Sequence, residues 1–235
     1  GRINIFLKYL GMLIHHAGST VMERTVRVAS AKKAYFSLGR FWKTEAPRLT
    51  KVIAFTCLVT GTLLSAMESV VLTVNDANAY DAATLYLAKK VMGRRAMRMI
   101  PGLDNDATHY VSVMTSQVWF YMRAIPTAME LRVRRLRMLQ TMTANPDDCS
   151  PLITVLFGSF SFSVRDQRRN EATITDDDIP WLVQMRDDVN AIAMMDGQAS
   201  MVSELDGRVF LLFTNDRYKT WFTKLDMHQL RCVYF

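Results

Sequence analysis

Cysteine is scarce in this sequence, with only Cys57, Cys149 and Cys232 among 235 residues. The three are far apart and form no Cys-x-x-Cys pair, so we expect neither a disulfide framework nor a cysteine zinc site. This use of cysteine favours a reducing compartment, and we expect an intracellular protein, nuclear or cytoplasmic. The sequence begins with Gly rather than Met and shows no secretory signal pattern. We expect it to be a fragment.

The motifs that hold nucleotides or activate a nucleophile are also lacking. No Gly-x-x-x-x-Gly-Lys, Gly-x-Gly-x-x-Gly or Gly-x-Ser-x-Gly pattern occurs. His15 and His16 are neighbours in a predicted turn, and His109 and His228 have no Cys, Asp or Glu at ligand spacing. Asp187 and Asp188 fall in a helical pattern, where adjacent side chains diverge by about 100°. The acids at 147–148 and 176–178 are expected to be structural or exposed to solvent. We predict no catalytic residue, metal site or cofactor in this chain.

Long apolar runs are few. The most apolar stretch covers residues 52–72 and contains a single charge, Glu68. Its uncharged run ends at Met67 and is shorter than the roughly 20 residues that cross a bilayer. We predict a buried core helix here and no membrane partner, with a membrane-associated protein as the alternative.

Positive charge, by contrast, is abundant and unevenly distributed. Residues 1–145 carry 20 Lys and Arg against 8 Asp and Glu, whereas residues 146–235 carry 9 against 14, and the net charge is +7. This asymmetry indicates two functional regions, the first facing a polyanion such as nucleic acid or a membrane surface. We predict the end of a strand region over 1–18, a basic helical domain over 19–146 and an acidic α+β tail of unknown role over 147–235.

The apolar and capping patterns predict a mainly α fold with a short N-terminal strand, a basic helical bundle and a small α+β C-terminal region. Residues 6–14 have the length and composition of one strand, with Gly11 as a bulge. Thr20-Val-Met-Glu23 fits a capping box, so a helix is expected to begin there. Its predicted apolar stripe is Val21, Val28, Ala31, Tyr35, Leu38 and Trp42.

Turn residues and periodicity predict the elements that follow. Pro47 suits the first position of a helix, Asn75 or Asp76 suits a helix cap, and Gly93 suits a helix terminator. The remaining predictions are a turn at 100–103, a helix over 107–143 interrupted near Pro126, a strand over 152–162, a helix from 176–180 through Met195, a strand over 208–213 and a helix over 218–225.

Cations with few acidic neighbours are the candidate nucleic-acid contacts. Glu23 and Glu45 are the only acids between Thr20 and Pro47, so the cations of the first helix have few partners on it. The candidates are Arg24, Arg27, Lys32, Lys33, Arg40, Lys43, Lys89, Lys90, Arg94, Arg95, Arg132 and Arg135. The alternatives are a solvated face on the first helix, compensation of the helix dipole at residues 89–98, and structural roles for some arginines at 132–137.

Several stretches, taken in order, resemble one family. Phe6-Leu-Lys-Tyr-Leu-Gly-Met-Leu resembles the strand after the catalytic box in reverse transcriptases of non-LTR, LINE-like retrotransposons. Residues 24–42 are similar to an Ala-rich helix of these enzymes, and residues 129–140 resemble the arginine-rich helix that closes the region. Leu63-Leu-Ser-Ala-Met-Glu68 is similar to a further segment, with Ser65 and Ala66 in place of the family's Tyr and Gly.

By this resemblance the chain is the C-terminal part of an RNA-directed DNA polymerase. Lys8, Tyr9, Leu10 and Gly11 would belong to a primer-grip-like strand, and the helices from Thr20 onward to the thumb and connection that hold the duplex of template RNA and primer DNA. The catalytic carboxylates and their Mg²⁺ would lie upstream, in the palm and fingers of the same polypeptide, so this part would not polymerise by itself. The alternative is a non-catalytic basic helical module that binds nucleic acid or a protein.

Overall fold

The computed structural model describes residues 6–9, 12–15, 20–101, 108–146, 180–198, 209 and 211–227. Over these residues the chain is mainly helical, which confirms the predicted fold class. The α-helices are α1 (Val21–Ser37), α2 (Arg48–Ala54), α3 (Gly61–Leu64), α4 (Val74–Met92), α5 (Thr115–Met122), α6 (Thr127–Ala144), α7 (Pro180–Met195), α8 (Leu211–Thr214) and α9 (Asp216–Lys224). The strands are β1 (Phe6–Tyr9), β2 (Met12–His15), β3 (Met97–Pro101) and β4 (Thr108–Ser112).

The chain packs as two compact units. The first consists of Gly1–Met67 and Leu72–Leu131, and the second of Glu68–Val71 and Arg132–Phe235. Within the second unit, the indole N–H of Trp181 donates to the carbonyl of Glu68 at 3.2 Å, which connects its short segment to its long one. The division predicted at residues 18 and 146 stays a prediction, since packing and charge divide the chain by different criteria.

The N-terminal strands form an antiparallel hairpin. Phe6 lies opposite His15, and Tyr9 lies opposite Met12. The single strand predicted over 6–14 is therefore wrong. Residues 10 and 11, where the bulge was predicted, lie outside the described residues.

A second antiparallel hairpin, β3 with β4, stands where the sequence predicted the start of a helix. Met97 pairs with Ser112, and Met99 pairs with Tyr110. The helix expected from Ala107 is therefore wrong over Thr108–Ser112, and helix begins only at Thr115. The β-branched and aromatic residues of Thr108-His-Tyr-Val-Ser are typical of a strand.

The first residue of α1 is as predicted, but the partners of its cap are not. Thr20 is the N-cap residue, and its hydroxyl donates to Oδ2 of Asp76 at 2.7 Å. Glu23, the expected partner in a capping box, accepts a hydrogen bond from Arg27 Nε at 2.5 Å. The capping box predicted at Thr20 is therefore wrong, because the Thr20 hydroxyl binds Asp76 and the Glu23 carboxylate binds Arg27.

The buried residues of α1 recur every four positions. They are Glu23, Arg27, Ala31 and Tyr35. In the predicted stripe, Ala31, Tyr35 and Trp42 are buried, whereas Val21 is 54% exposed. The predicted apolar face is wrong at the N-terminal end of α1. The ion pair of Glu23 and Arg27, rather than Val21, occupies the first two buried positions of the helix.

The apolar stretch from residue 52 is helical and buried along one side as far as Leu64. The single helix predicted over 52–72 is wrong beyond that residue, because the chain turns at Ala66, where φ is 58°. α2 begins at Arg48, one residue after the predicted start, and continues through a π-helical segment, Phe55–Thr60, into α3. Its buried residues include Val52, Phe55, Val59, Leu63 and Leu64. Within the described ranges, no helix combines the length and apolarity that a membrane crossing requires.

α4 carries the capping box that α1 lacks. The Asp76 N–H donates to the Thr73 hydroxyl, and the Thr73 N–H donates to the Asp76 carboxylate, both at 3.2 Å. Thr73 is therefore the cap, which corrects the cap predicted at Asn75 or Asp76. Gly93 ends the helix as predicted, with φ of 59°, a value that glycine adopts without steric cost.

The later helices match the sequence pattern in part. α5 ends at Met122 and α6 begins at Thr127, which confirms the interruption near Pro126. α7 ends at Met195 as predicted, and α9 overlaps the predicted last helix. The strand predicted over 208–213 is wrong at its C-terminal end, where α8 is helical, because periodicity cannot separate a short buried helix from a strand. The strand predicted over 152–162 lies outside the described residues.

Asp76 joins α1 to α4 within the first unit. It is buried, and Arg24 Nη1 donates to its Oδ1 at 2.8 Å. Burial acts to raise the pKa of this carboxyl, but the hydrogen bonds from Thr20 and Thr73 and the charge of Arg24 together lower the pKa below its ordinary value of 3.8. The ionised carboxylate therefore stabilises the folded state.

Acid is expected to destabilise the first unit through this carboxylate. Because the native pKa lies below the unfolded one, the stabilisation is present above pH 3.8 and is lost as the pH falls through the native pKa. Urea unfolding over an acidic pH series should show a smaller fall in the free energy of unfolding for Asp76→Asn than for the wild type. Glu45→Gln, which removes an exposed carboxylate, should retain the wild-type dependence. A wild-type dependence in Asp76→Asn would refute this role.

Candidate nucleic-acid interface

A cleft in the first unit is lined by the ends of several helices, and we call it the basic cleft. Its volume is about 1070 Å³. The lining comes from the C-terminal end of α1, the 3₁₀-helical segment Gly39–Lys43, the start of α2, the C-terminal end of α4 with Gly93 and Arg95, and Tyr121 of α5.

The lining of the basic cleft is strongly cationic. Its charged residues are Arg40, Lys43, Arg48, Lys51, Lys90 and Arg95, against one acid, Glu45. Within the described part of the chain, none of these six cations forms a salt bridge. Clustered like charges in a concave site produce a positive potential that attracts anions.

Tyr121 organises one end of the cleft. The guanidinium carbon of Arg48 lies 4.4 Å from the centroid of the Tyr121 ring, and that of Arg95 lies 5.9 Å from it. Arg95 also donates to the Tyr121 hydroxyl at 3.2 Å. Arg48 donates to the carbonyls of Phe120 and Tyr121 at 2.9 and 2.7 Å, at the C-terminal end of α5, where the helix dipole favours a cation. Two guanidinium groups are therefore held beside one ring.

The buried residues of the lining are neutral and include two stacked aromatic rings. The rings of Trp42 and Tyr35 are stacked, with centroids 5.1 Å apart and an interplanar angle of 5°, and the Trp42 indole donates to the carbonyl of Tyr35 at 2.7 Å. Burial, with a smaller contribution from Tyr86, raises the pKa of Tyr35. Lys51 donates to the carbonyls of Trp42 and Thr44 at 3.0 and 2.6 Å, so it fixes the 3₁₀-helical segment to α2.

A second cavity, of about 450 Å³, adjoins the basic cleft, and we call it the aromatic cavity. The two cavities share Arg48, Met92, Arg95 and Tyr121. The aromatic cavity is also lined by Met97, Arg98, Val113, Gln117 and Phe120. Positive charge therefore continues from one cavity into the other.

Four of the predicted contacts line the basic cleft. They are Arg40, Lys43, Lys90 and Arg95, all exposed. Lys32, Lys33 and Arg94 are exposed outside both cavities, and Lys89 donates to the Ser112 hydroxyl at 2.7 Å.

For the proposed primer-grip strand, Lys8 and Tyr9 lie in β1, whereas Leu10 and Gly11 lie outside the described residues. Nucleic-acid contact by these residues stays a prediction.

Arg24 and Arg27 stabilise the first unit, and contact of either with nucleic acid stays a prediction. Arg27 is buried and donates to Glu23 and to the carbonyls of Thr62, at 3.5 Å, and Ser65. Arg24 is engaged with the buried carboxylate of Asp76. Both arginines hold α1 against other parts of the unit, and neither lines the basic cleft.

Arg132 and Arg135 have a similar structural role in the second unit. Their Nε atoms donate to the two carboxylate oxygens of Asp188, at 2.8 and 2.6 Å. Asp188 and Arg135 are both buried. One buried acid from α7 therefore binds both arginines, and their contact with nucleic acid stays a prediction.

Sequence reasoning missed Arg48, Lys51 and Tyr121. A local signal for the two cations existed, because Arg40 with Lys43 and Arg48 with Lys51 are two pairs at three-residue spacing on either side of Pro47. Tyr121 gave no such signal, since it is 73 residues from Arg48 in sequence.

No protein-family model, curated protein or solved structure matches this sequence. Among the residues that the structure describes, no three His, Cys, Asp or Glu side chains form a group that could hold a metal ion. What this site can do chemically follows from its cations and aromatic rings, which are suited to binding an anionic ligand.

Proposed function

We propose that this chain binds nucleic acid through the basic cleft, with Arg40, Lys43, Lys90 and Arg95 contacting the sugar–phosphate backbone. The observation that carries this proposal is the cationic lining, six Lys and Arg against one acid, in which none of the described cations is paired with a carboxylate. Phosphates supply the missing negative charge, and their neutralisation releases counterions and favours binding with little dependence on base sequence.

The distribution of the cations favours a polymer of phosphates over a small anion. The exposed cations extend from the 3₁₀-helical segment after α1, at Arg40 and Lys43, to the C-terminal end of α4, at Lys90, and on to Arg98 of β3 in the aromatic cavity. A small anion is bound by groups that converge on one point, as at a helix N-terminus. A nucleic-acid backbone instead presents regularly repeated charges to a row of cations.

We further propose that the parent protein is an RNA-directed DNA polymerase of the non-LTR type, which the sequence resembles. In that protein the basic cleft would hold template RNA and primer DNA within an intracellular compartment. The palm and fingers, with Mg²⁺ and the catalytic carboxylates, would belong to upstream parts of the polypeptide. The support is that cations from the 3₁₀-helical segment after α1 and from the end of α4 meet in one cleft, within the range that carries the resemblance.

The test compares two double variants that lose the same charge. We expect Arg40→Gln with Lys43→Gln to weaken binding to an RNA–DNA hybrid, and to reduce the slope of log K against log salt concentration by about 2, because two phosphate contacts are lost. Fluorescence anisotropy across a salt series measures both quantities. Lys32→Gln with Lys33→Gln removes exposed charge from α1 outside the cleft and is the matched control.

The control should remain close to the wild type in affinity and salt slope. If both double variants lost the same affinity and slope, binding would depend on overall charge, and the assignment to the basic cleft would be overturned. An absence of binding by the wild type at low salt would overturn the proposed function itself.

A further inference from the structure

We infer that the ligand lies in the two cavities as a single strand, with unpaired bases stacked on Phe36 and Phe120 and with phosphates bound to the neighbouring cations. This inference rests on the proposed function and narrows the ligand of the two cavities, within the template RNA and primer DNA of the proposed parent protein, to a strand that is not base-paired.

Each cavity contains an aromatic ring that is mostly exposed to solvent. Phe36, in the basic cleft, is 58% exposed, and Phe120, in the aromatic cavity, is 65% exposed. Burial of a phenylalanine side chain is strongly favourable, so a pair of exposed rings inside cationic cavities indicates a ligand with both apolar faces and negative charge. Unpaired nucleotides have both properties.

The ring of Phe36 is held in place by its neighbour. Tyr35, which is buried, packs against Phe36 edge to face, with centroids 5.2 Å apart and an interplanar angle of 83°. A ring in a fixed orientation loses little conformational freedom when a base stacks on it. Phe36 is therefore already oriented as a platform for a base.

The two rings belong to one continuous charged surface. Arg48, Arg95 and Tyr121 line both cavities, so a backbone that passes from Phe36 to Phe120 remains near guanidinium groups. Aromatic platforms combined with a basic track are the general means by which proteins bind single strands without sequence preference. In a duplex, by contrast, each base is stacked on its neighbours within the helix and its faces are covered.

The experiment compares three ligands with equal numbers of phosphates, an oligothymidylate, a strand of abasic residues and a duplex. We expect the full chain to bind the oligothymidylate most tightly. Phe36→Ala with Phe120→Ala should lower the affinity for the oligothymidylate by about tenfold per ring, while the affinities for the abasic strand and the duplex stay unchanged. The salt slope should also stay unchanged, because the variant retains every cation.

Tyr110→Ala is the matched control, since Tyr110 is 67% exposed and lines neither cavity; its affinity should equal that of the wild type. Thermal unfolding of each variant verifies folding, which substitution at exposed positions should preserve. Equal, salt-dependent affinity for the oligothymidylate and the abasic strand, unaffected by loss of the two rings, would overturn this inference while the proposed function stood. Failure of all three ligands to bind would overturn both.

Discussion

Arg27→Ala is expected to lower the free energy of unfolding by about 3–5 kcal/mol, the cost of removing one partner from a buried ion pair. The substitution leaves the buried carboxylate of Glu23 without its guanidinium partner. It also removes the donor to the carbonyl of Ser65 just after α3. Urea unfolding followed by circular dichroism measures the loss.

Arg40→Ala is the matched control for this prediction, because it removes an exposed arginine of the same unit and should leave stability close to that of the wild type. The double variant with Glu23→Ala and Arg27→Ala should lose less than the two single losses combined, because the pair is coupled. A loss in Arg27→Ala no larger than that in Arg40→Ala would show that the ion pair does not stabilise the fold.

Asp188→Ala should destabilise the second unit by a similar amount, about 3–5 kcal/mol. This carboxylate binds Arg132 and Arg135, and its removal leaves the charge of Arg135, whose side chain is only 6% exposed, without its counter-ion. Amide hydrogen exchange resolved to α7 measures the effect in the part of the chain where it originates.

The neighbouring residue supplies the control for this variant. Asp187 precedes Asp188 on α7, and its side chain is 64% exposed, so Asp187→Ala should leave the exchange of α7 nearly unchanged. Similar exchange in the two variants would indicate that loss of an acid from α7, rather than the buried pairing, determines stability.

Much of the helical structure could be predicted from local signals. The interruption near Pro126 and the end of α4 at Gly93 follow from residues that restrict or relax the backbone. Local signals could not show that the capping box at Thr20 is absent, because the Thr20 hydroxyl donates to Asp76, which lies 56 residues away in sequence. The pairing of β3 and β4 was missed because a continuous helical periodicity was assumed from Ala107, whereas the residues from Thr108 to Ser112 form a strand that pairs with Met97–Pro101.

The positive charge of the candidate site could be predicted from the sequence, but the residues that line it could not. Arg27 and Arg40 belong to the same basic region of the sequence, yet one is buried in an ion pair and the other lines the basic cleft. Composition counts both as cations, and only tertiary packing determines which cation finds an acid. Phe36 and Phe120 are 84 residues apart in sequence, so their placement in adjoining cavities has no local signal.

Glu68–Val71 belongs to the second unit, and the first unit is fully synthesised before the second is complete. The hydrogen bond between Glu68 and Trp181 spans 113 residues, which take on the order of 10 s to synthesise. By the time Trp181 emerges, every residue of the first unit has long been made, on both sides of this segment. The first unit is therefore free to fold first, and no single cut in the chain separates the two units intact.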